Sequence, residues 1–278
     1  MRIGVVGTES SHVEHMVRYL NVEHRQGDAR VVALAGGQSE RNLRLAADGG
    51  VDRLVDEPEA LLGLVDAVLV CDRDGARHRE HAMPFLQRGM PVLVDKPLAT
   101  SVGDAEAMLL AARRSGAPLA SYSPVRWFPD TDALAAQVAA DGPPLLVVAT
   151  GPADPAGPHG GIWFYGIHPV DVALRLAAGP VGRVRVDRVP GAVVATGRVG
   201  DTSVVVDFIA PGDRHPVAFH ALVTTGTKVY ARELAQGQRY LDPGLDAFFE
   251  MLHSGRPAVP AEEMLRPIRY LAAVVEAL

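Results

Sequence analysis

The sequence predicts an α/β protein in two parts. Residues 1–122 suit a doubly wound parallel sheet, and residues 123–278 an α+β domain built on a mostly antiparallel open sheet. Three observations predict this. Short apolar runs alternate with helix-period segments through the first part. Those runs are apolar on both faces, as strands covered by helices on both sides must be. Beyond residue 180 the pattern changes to alternating strands separated by glycine and proline turns.

The elements follow in order. RIGVVG (2–7) reads as the first strand, and residues 11–25 as a helix with Val13, Met16, Val17 and Leu20 on one face. The strand ARVVALAG (29–36) leads to a helix over 39–48 and the short run VDRLV. A helix over 57–63 precedes the strand VDAVLVC (65–71), and a helix over 77–88 precedes MPVLVD (90–95). A helix over 101–115, closed by Gly116, precedes PLASYS (118–123). Right-handed crossovers make this series a Rossmann-type dinucleotide-binding half. The second part starts with a helix over 129–140, the strand PLLVVATG (144–151), a glycine–proline loop over 151–161 and a helix over 168–178. Strands over 181–189, 192–199, 202–210, 216–223 and 227–233 follow, with turns at Gly200-Asp201 and Pro211-Gly212-Asp213. Helices over 242–254 and 261–277 close the chain, the last with the option of packing back on the first domain.

With 278 residues, 48% of them hydrophobic, the chain can bury a sizeable core. A net charge of -6 argues against a nucleic-acid or membrane-surface partner. No apolar run has the length of a bilayer span. The single cysteine, Cys71, forms no intrachain disulfide. Met1-Arg2-Ile3 opens straight into a strand, without a signal-peptide pattern, so a cytoplasmic location is expected.

Where the first strand meets its helix, a dinucleotide-binding unit keeps its phosphate loop. In VVGTESSHVEH (5–15), Glu9 and His12 stand where the second and third glycines of the fingerprint fall. Gly7 still permits a tight turn. Thr8, Ser10 and Ser11 offer hydroxyls and N–H groups ahead of a helix N-terminus, which favours an anion. Glu9 has the wrong charge for a pyrophosphate unless it points away. His12 either fills the space of the third glycine or reaches the phosphate. After the second strand, ALAGGQSERN (33–42) lacks the acid that holds a ribose diol. Ser39, Arg41 and Arg44 suit a 2′-phosphate instead, so NADP is expected ahead of NAD; the alternative is a solvated helix face. In CDRDGARH (71–78), Asp72 and Asp74 fall near the expected nicotinamide ribose, where they bind its hydroxyls or repel the pyrophosphate. With His78 they form no closed ligand set, so no metal is expected.

Three stretches, in this order and at these distances, resemble the Gfo/Idh/MocA oxidoreductases, the glucose-fructose oxidoreductase and inositol dehydrogenase group. They are the strand–glycine–helix unit at 2–17; residues 65–101, with Asp95-Lys96-Pro97 in the place of the family's Glu-Lys-Pro; and GGIWFYGIHPVD (160–171), ending in Gly166, His168 and Asp171. The resemblance runs essentially end to end. It implies NAD or NADP as cofactor and a small polar substrate such as a sugar, polyol or cyclitol. It also implies a homodimer or homotetramer formed through the C-terminal sheet. It makes Lys96 the residue that orients substrate and nicotinamide, His168 the acid–base and Asp171 its support. Asp95, Lys96 and Pro97 then also border the cofactor. His78 matches a frequent histidine of the family that is architectural or lies beside the cofactor. CDRD departs from the small apolar residue, threonine and proline usual there.

The residues themselves carry this chemistry. Oxidation of an alcohol by hydride loss needs its proton removed from the same centre, and histidine titrates in the right range. His168 and Asp171, three apart, share a helix face. Asp171 then supports His168, binds a substrate hydroxyl, or only stabilises its helix start. Lys96 follows a strand at the carboxyl edge of the sheet, where ligands bind, and its cation can polarise an oxygen. Tyr122, Arg126, Trp163 and Tyr165 are candidates for substrate contact; core aromatics and an ion-paired arginine are the alternatives. Two rival activities stay open: a redox-neutral enzyme working through transient oxidation, and a silent ligand-binding homologue.

Overall fold

A computed structural model describes residues 1–212 and 217–278. Asp213 of the expected turn and residue 216 of the expected strand lie outside the described residues. The chain divides into two compact units, Met1–Ser121 with Leu241–Ala261, and Tyr122–Tyr240 with Glu262–Leu278.

The first unit contains β1 (Arg2–Val6), α1 (His12–Val17), β2 (Arg30–Ala35), α2 (Ser39–Gly49), β3 (Arg53–Val55), β4 (Ala67–Val70), α3 (His78–Leu86), β5 (Val92–Val94), α4 (Val102–Ser115) and β6 (Leu119–Ala120). The sheet order is β3-β2-β1-β4-β5-β6, and every pair is parallel. Ile3, Val5 and Val6 of β1, the whole of β4, and Val92 and Val94 of β5 are sealed from solvent. This is why the strands read as continuous apolar runs, and each such valine, leucine or isoleucine stabilises the fold by roughly 1.5–3 kcal/mol. α4 is bounded as its sequence suggests. Ser101 Oγ accepts from the Asp104 N–H at 3.1 Å, and Gly116 closes the helix at φ +75°. The helix expected over 11–25 is α1 followed by a π-helical turn, Arg18–Val22. The helix expected over 57–63 shrinks to a 3-10 turn, Pro58–Leu61.

The second unit contains α5 (Pro129–Asp141), β7 (Leu146–Pro152), α6 (Ile162–Leu176), β8 (Val181–Val189), β9 (Ala192–Val199), β10 (Thr202–Ile209), β11 (His220–Thr224) and β12 (Val229–Glu233). Its sheet runs β12-β11-β7-β10-β9-β8. Only β7 and β10 pair in parallel; the other neighbours are antiparallel. Thr202, Val204, Val206 and Phe208 alternate inward along β10. α6 packs close to this face. A Cβ on Gly166 would stand 3.1 Å from the Phe208 ring and from Ile162.

Two expectations are corrected here. The helix expected from residue 168 starts at Ile162, so His168 and Pro169 lie inside α6. A proline usually marks a first turn because it lacks the N–H that the helix interior needs; here α6 accommodates that loss. Of the two closing helices, α7 (Asp242–Ser254) belongs to the first unit. α8 (Ala261–Ala277), the helix given the option of packing back, belongs to the second from Glu262 on. Within the first unit, His15 Nε2 lies 2.8 Å from Asp242 Oδ1, and the Tyr19 hydroxyl donates to Asp246 Oδ1 at 2.5 Å. Among the described residues, no helix is long and apolar enough to cross a membrane.

Candidate active site

In the first unit, the chain leaves β1 through Gly7 at φ +73°. A Cβ there would lie 2.7 Å from the Asp72 backbone nitrogen, so only glycine fits. Thr8 is fully buried and donates to Asn42 Oδ1 at 2.5 Å, while Asn42 Nδ2 donates to the Gly36 carbonyl at 2.6 Å. Gly37, at φ +79°, lies so close that an added Cβ would fall 2.0 Å from Thr8 Oγ1. Ser10 Oγ accepts the His12 N–H at 3.2 Å, and Ser11 precedes α1 with no side-chain cap.

Arg41 takes a different place from the one expected. Its Nε donates to the Thr8 carbonyl and its Nη2 to the Ser10 carbonyl at 3.0 Å, and Glu14 pairs with it at 2.5 Å. The guanidinium braces the loop backbone rather than standing open to a 2′-phosphate. Ser39 is exposed at the start of α2, and Arg44 pairs with Glu40 on the solvent face.

His12 aims Nδ1 at Asp95, 2.8 Å from Oδ2 and 3.0 Å from Oδ1. Asp95 Oδ1 also accepts the Lys96 N–H at 2.9 Å. Burial opposes the charge on Asp95, but His12 and then Lys96 outweigh it and hold the carboxyl well below the usual range. Lys96 is 5% exposed. Burial pushes its ammonium down to about 8, against the pull of Asp95, and Arg73 adds to the lowering.

Asp72, at the end of β4, accepts from His81 Nδ1 at 2.7 Å through Oδ2. Among the described residues its buried Oδ1 has no hydrogen-bond partner; Arg77 stands 3.5 Å away as an ion pair without hydrogen-bond geometry. Asp74 instead caps the turn after β4, accepting the Ala76 N–H at 3.0 Å. His78 is sealed from solvent, with Nδ1 2.7 Å from the Pro97 carbonyl and Nε2 3.0 Å from the Asp72 carbonyl. It ties together the segments that leave β4 and β5, which is an architectural place.

In the second unit, α6 carries His168 and Asp171, 4% and 3% exposed. Both face the segment 123–126, as their spacing suggests, but the partner of each was not foreseen. His168 Nδ1 lies 2.7 Å from Ser123 Oγ. Asp171 does not reach the imidazole. Its Oδ2 accepts the Ser123 N–H at 3.0 Å, and its Oδ1 accepts from Arg126 Nη1 at 2.6 Å. Arg126 is buried and also pairs with Glu263 at 3.3 Å. Burial opposes its charge, yet Asp171 and Glu263 together hold it raised. Of the two roles open to Arg126, the structure shows the ion pair with acidic neighbours. Tyr165 and Phe219 flank the His168 ring at 5.8 and 5.4 Å between centroids. Tyr165 is exposed, Trp163 is buried, and Tyr122 packs edge-on against Trp127 at 5.6 Å. Ser123 itself was missed; the Ser123-Pro124 pair signals a turn start and nothing more.

Residues 1–123 match the family model described as the oxidoreductase family, NAD-binding Rossmann fold, which carries the Gfo/Idh/MocA name. These residues belong to the Gfo/Idh/MocA family. Among curated relatives, the 1,5-anhydro-D-fructose reductase of Ensifer adhaerens is 31% identical over 127 residues, 45% of this chain and 37% of that protein. The inositol 2-dehydrogenase of Paracoccus denitrificans is 32% identical over 154 residues, 54% of this chain and 45% of that protein. The matched stretch thus spans less than half the length of either relative. A likeness of fold extends over the whole chain. The structure of scyllo-inositol dehydrogenase from Lactobacillus casei with bound NAD(H) and scyllo-inositol aligns at TM-score 0.84 with 16% identity, covering 100% of this chain and 96% of that one.

The first unit fits a dinucleotide by its own chemistry. Gly7 and Gly37 let the loop close on Asp72 and Thr8 where a Cβ could not stand, which fixes the turn that a phosphate would meet. Among the described residues, Asp72 Oδ1 and the buried Oε2 of Glu9 are acceptors without a hydrogen-bond donor. Ribose hydroxyls and an adenine amino group are donors of the required kind.

Proposed function

We propose that this chain is an NAD(P)-dependent oxidoreductase, exchanging hydride with the hydroxyl or keto carbon of a sugar, cyclitol or related small molecule. The observation that carries the reading is Lys96. A buried ammonium, brought down to about 8, lies just past the fifth strand of an NAD-binding-family sheet. A structural lysine has little reason to be there, whereas an oxygen that gains negative charge finds a stabilising cation.

The bound nicotinamide supplies the hydride donor or acceptor. The loop Gly7, Thr8, Ser10 and Ser11 would hold the pyrophosphate, and Asp72 would serve as an acceptor for a ribose hydroxyl. Asp95 and His12 orient Lys96, and His78 with Pro97 fixes the backbone around it. His168 takes or returns the hydroxyl proton at Nε2, and Asp171 acts on it through Ser123. Tyr165 and Tyr122 offer ring faces and hydroxyls to a polyol. The absence of a carboxylate in Gly36–Ser39 supports NADP over NAD, with Ser39 and Arg44 as the side chains that could meet a 2′-phosphate. The chain works in the cytoplasm as a homo-oligomer formed through the second unit's sheet.

The test follows absorbance of reduced nicotinamide with NAD and NADP against a panel of sugars, inositols and their keto forms. Turnover is expected with at least one pair. His168→Ala should lower kcat by 10²-fold or more, the usual order for a lost acid–base, with nucleotide binding little changed. Equal loss of both would remove His168 from the proton step.

A further inference from the structure

We infer that Ser123 is a positioning residue that holds neutral His168 with its proton on Nε2, so that the resting site is complementary to a carbonyl substrate. The inference rests on the acid–base reading of His168 and deepens it.

The argument is an accounting of one hydrogen. Ser123 is 1% exposed, so its hydroxyl is shielded from bulk water. Its oxygen already accepts the Val125 N–H at 3.1 Å, because Ser123 caps the turn Pro124–Trp127. Its backbone N–H is committed to Asp171 Oδ2 at 3.0 Å. Among the described residues, the one acceptor within reach of the hydroxyl hydrogen is His168 Nδ1, at 2.7 Å. A buried hydroxyl that leaves its hydrogen unused is disfavoured. The hydroxyl therefore donates, Nδ1 accepts, and the proton of the neutral ring sits on Nε2.

The consequence is chemical. A ring with hydrogen on Nε2 meets a carbonyl oxygen as a donor and polarises it. To take the proton of an alcohol at Nε2, the same ring must first carry its hydrogen on Nδ1, with the Ser123 hydrogen turned away. A carboxylate next to Nδ1 would impose the opposite tautomer, since it can only accept. Asp171 is the carboxylate at hand, and the structure places it one residue short: it holds the Ser123 backbone and leaves the ring to the hydroxyl.

Nitrogen-15 spectra of the histidine rings in the full chain test this, with His168 assigned by the signals lost in His168→Gln. The neutral ring is expected to show hydrogen on Nε2 and an unprotonated Nδ1. The Nδ1 resonance should move in Ser123→Ala and return to the wild-type position in Ser123→Thr. Hydrogen found on Nδ1 of the neutral wild-type ring overturns the proposal. So does an Nδ1 resonance that is the same in wild type and Ser123→Ala. If Ser123→Ala does not fold, the wild-type tautomer and its retention in Ser123→Thr decide. The readout needs no turnover, so failure of the His168→Ala kinetics would sink the acid–base reading and leave the tautomer standing.

Discussion

Asp171→Ala isolates what the buried carboxylate contributes. Asp171 and Arg126 meet at 2.6 Å with side chains 4% and 10% exposed. Removing one partner of a buried pair leaves the other charge uncompensated, which costs about 3–5 kcal/mol. Glu263 remains 3.3 Å from Arg126 but is 31% exposed, so it relieves only part of that. The Ser123 N–H also loses its acceptor, a further penalty of about 1–3 kcal/mol. The two effects share atoms and do not add fully. The expected loss of unfolding free energy is about 4 kcal/mol. Urea unfolding at neutral pH reads it through Trp127 and Trp163, the chain's two tryptophans, both in the second unit. Asp171→Ala combined with Arg126→Met should recover part of the loss, because an apolar replacement of both partners removes the stranded charge. A loss below about 1 kcal/mol, or no recovery in the double variant, would refute the buried-pair reasoning.

Three further outcomes follow. The Lys96 ammonium titrates at about 8 when folded and near 10.5 when unfolded, so the unfolded chain binds more protons between those values. Stability should rise with pH across that window by about 3 kcal/mol from this group, and Lys96→Met should flatten the rise; an unchanged slope contradicts the burial of its charge. Arg41→Ala should weaken NAD and NADP to the same degree by calorimetry, because the side chain braces the Thr8 and Ser10 carbonyls; selective loss of NADP would restore it as a phosphate reader. Gly37→Ala should destabilise by about 2 kcal/mol or more in a thermal melt, since left-handed backbone and a 2.0 Å approach to Thr8 Oγ1 combine. Gly36→Ala, at φ +67° in open space, should lose only the backbone part.

The parallel sheet was legible because burial on both faces writes itself as uninterrupted apolar runs. Gly7, Lys96 and His168 stand out as candidates because each sits at a fixed offset from a strand or in a recognisable stretch. Other features depend on distant pairings that leave no local mark. Asn42 braces Thr8 across 34 positions, and Ser123 meets His168 across 45. The helix face shared by His168 and Asp171 was inferred correctly from their spacing. What lies opposite that face belongs to another segment, and spacing along one helix says nothing of it. Pro169 misled in the ordinary way. A proline in a helix interior is disfavoured, so the pattern was cut at the position where the structure carries on.

The return of Leu241–Ala261 to the first unit bears on how this molecule can be taken apart. A fragment ending near residue 123, where the family match stops, holds every strand of the parallel sheet yet lacks the carboxylates of Asp242 and Asp246. His15 and Tyr19 would keep their positions in sequence and lose those partners. Excising the first unit as an independent module therefore calls for a spliced design, with residues 241–261 joined to 1–121 by a linker. By the same measure, insertions or duplications that act on contiguous stretches of gene cannot exchange this unit cleanly between proteins.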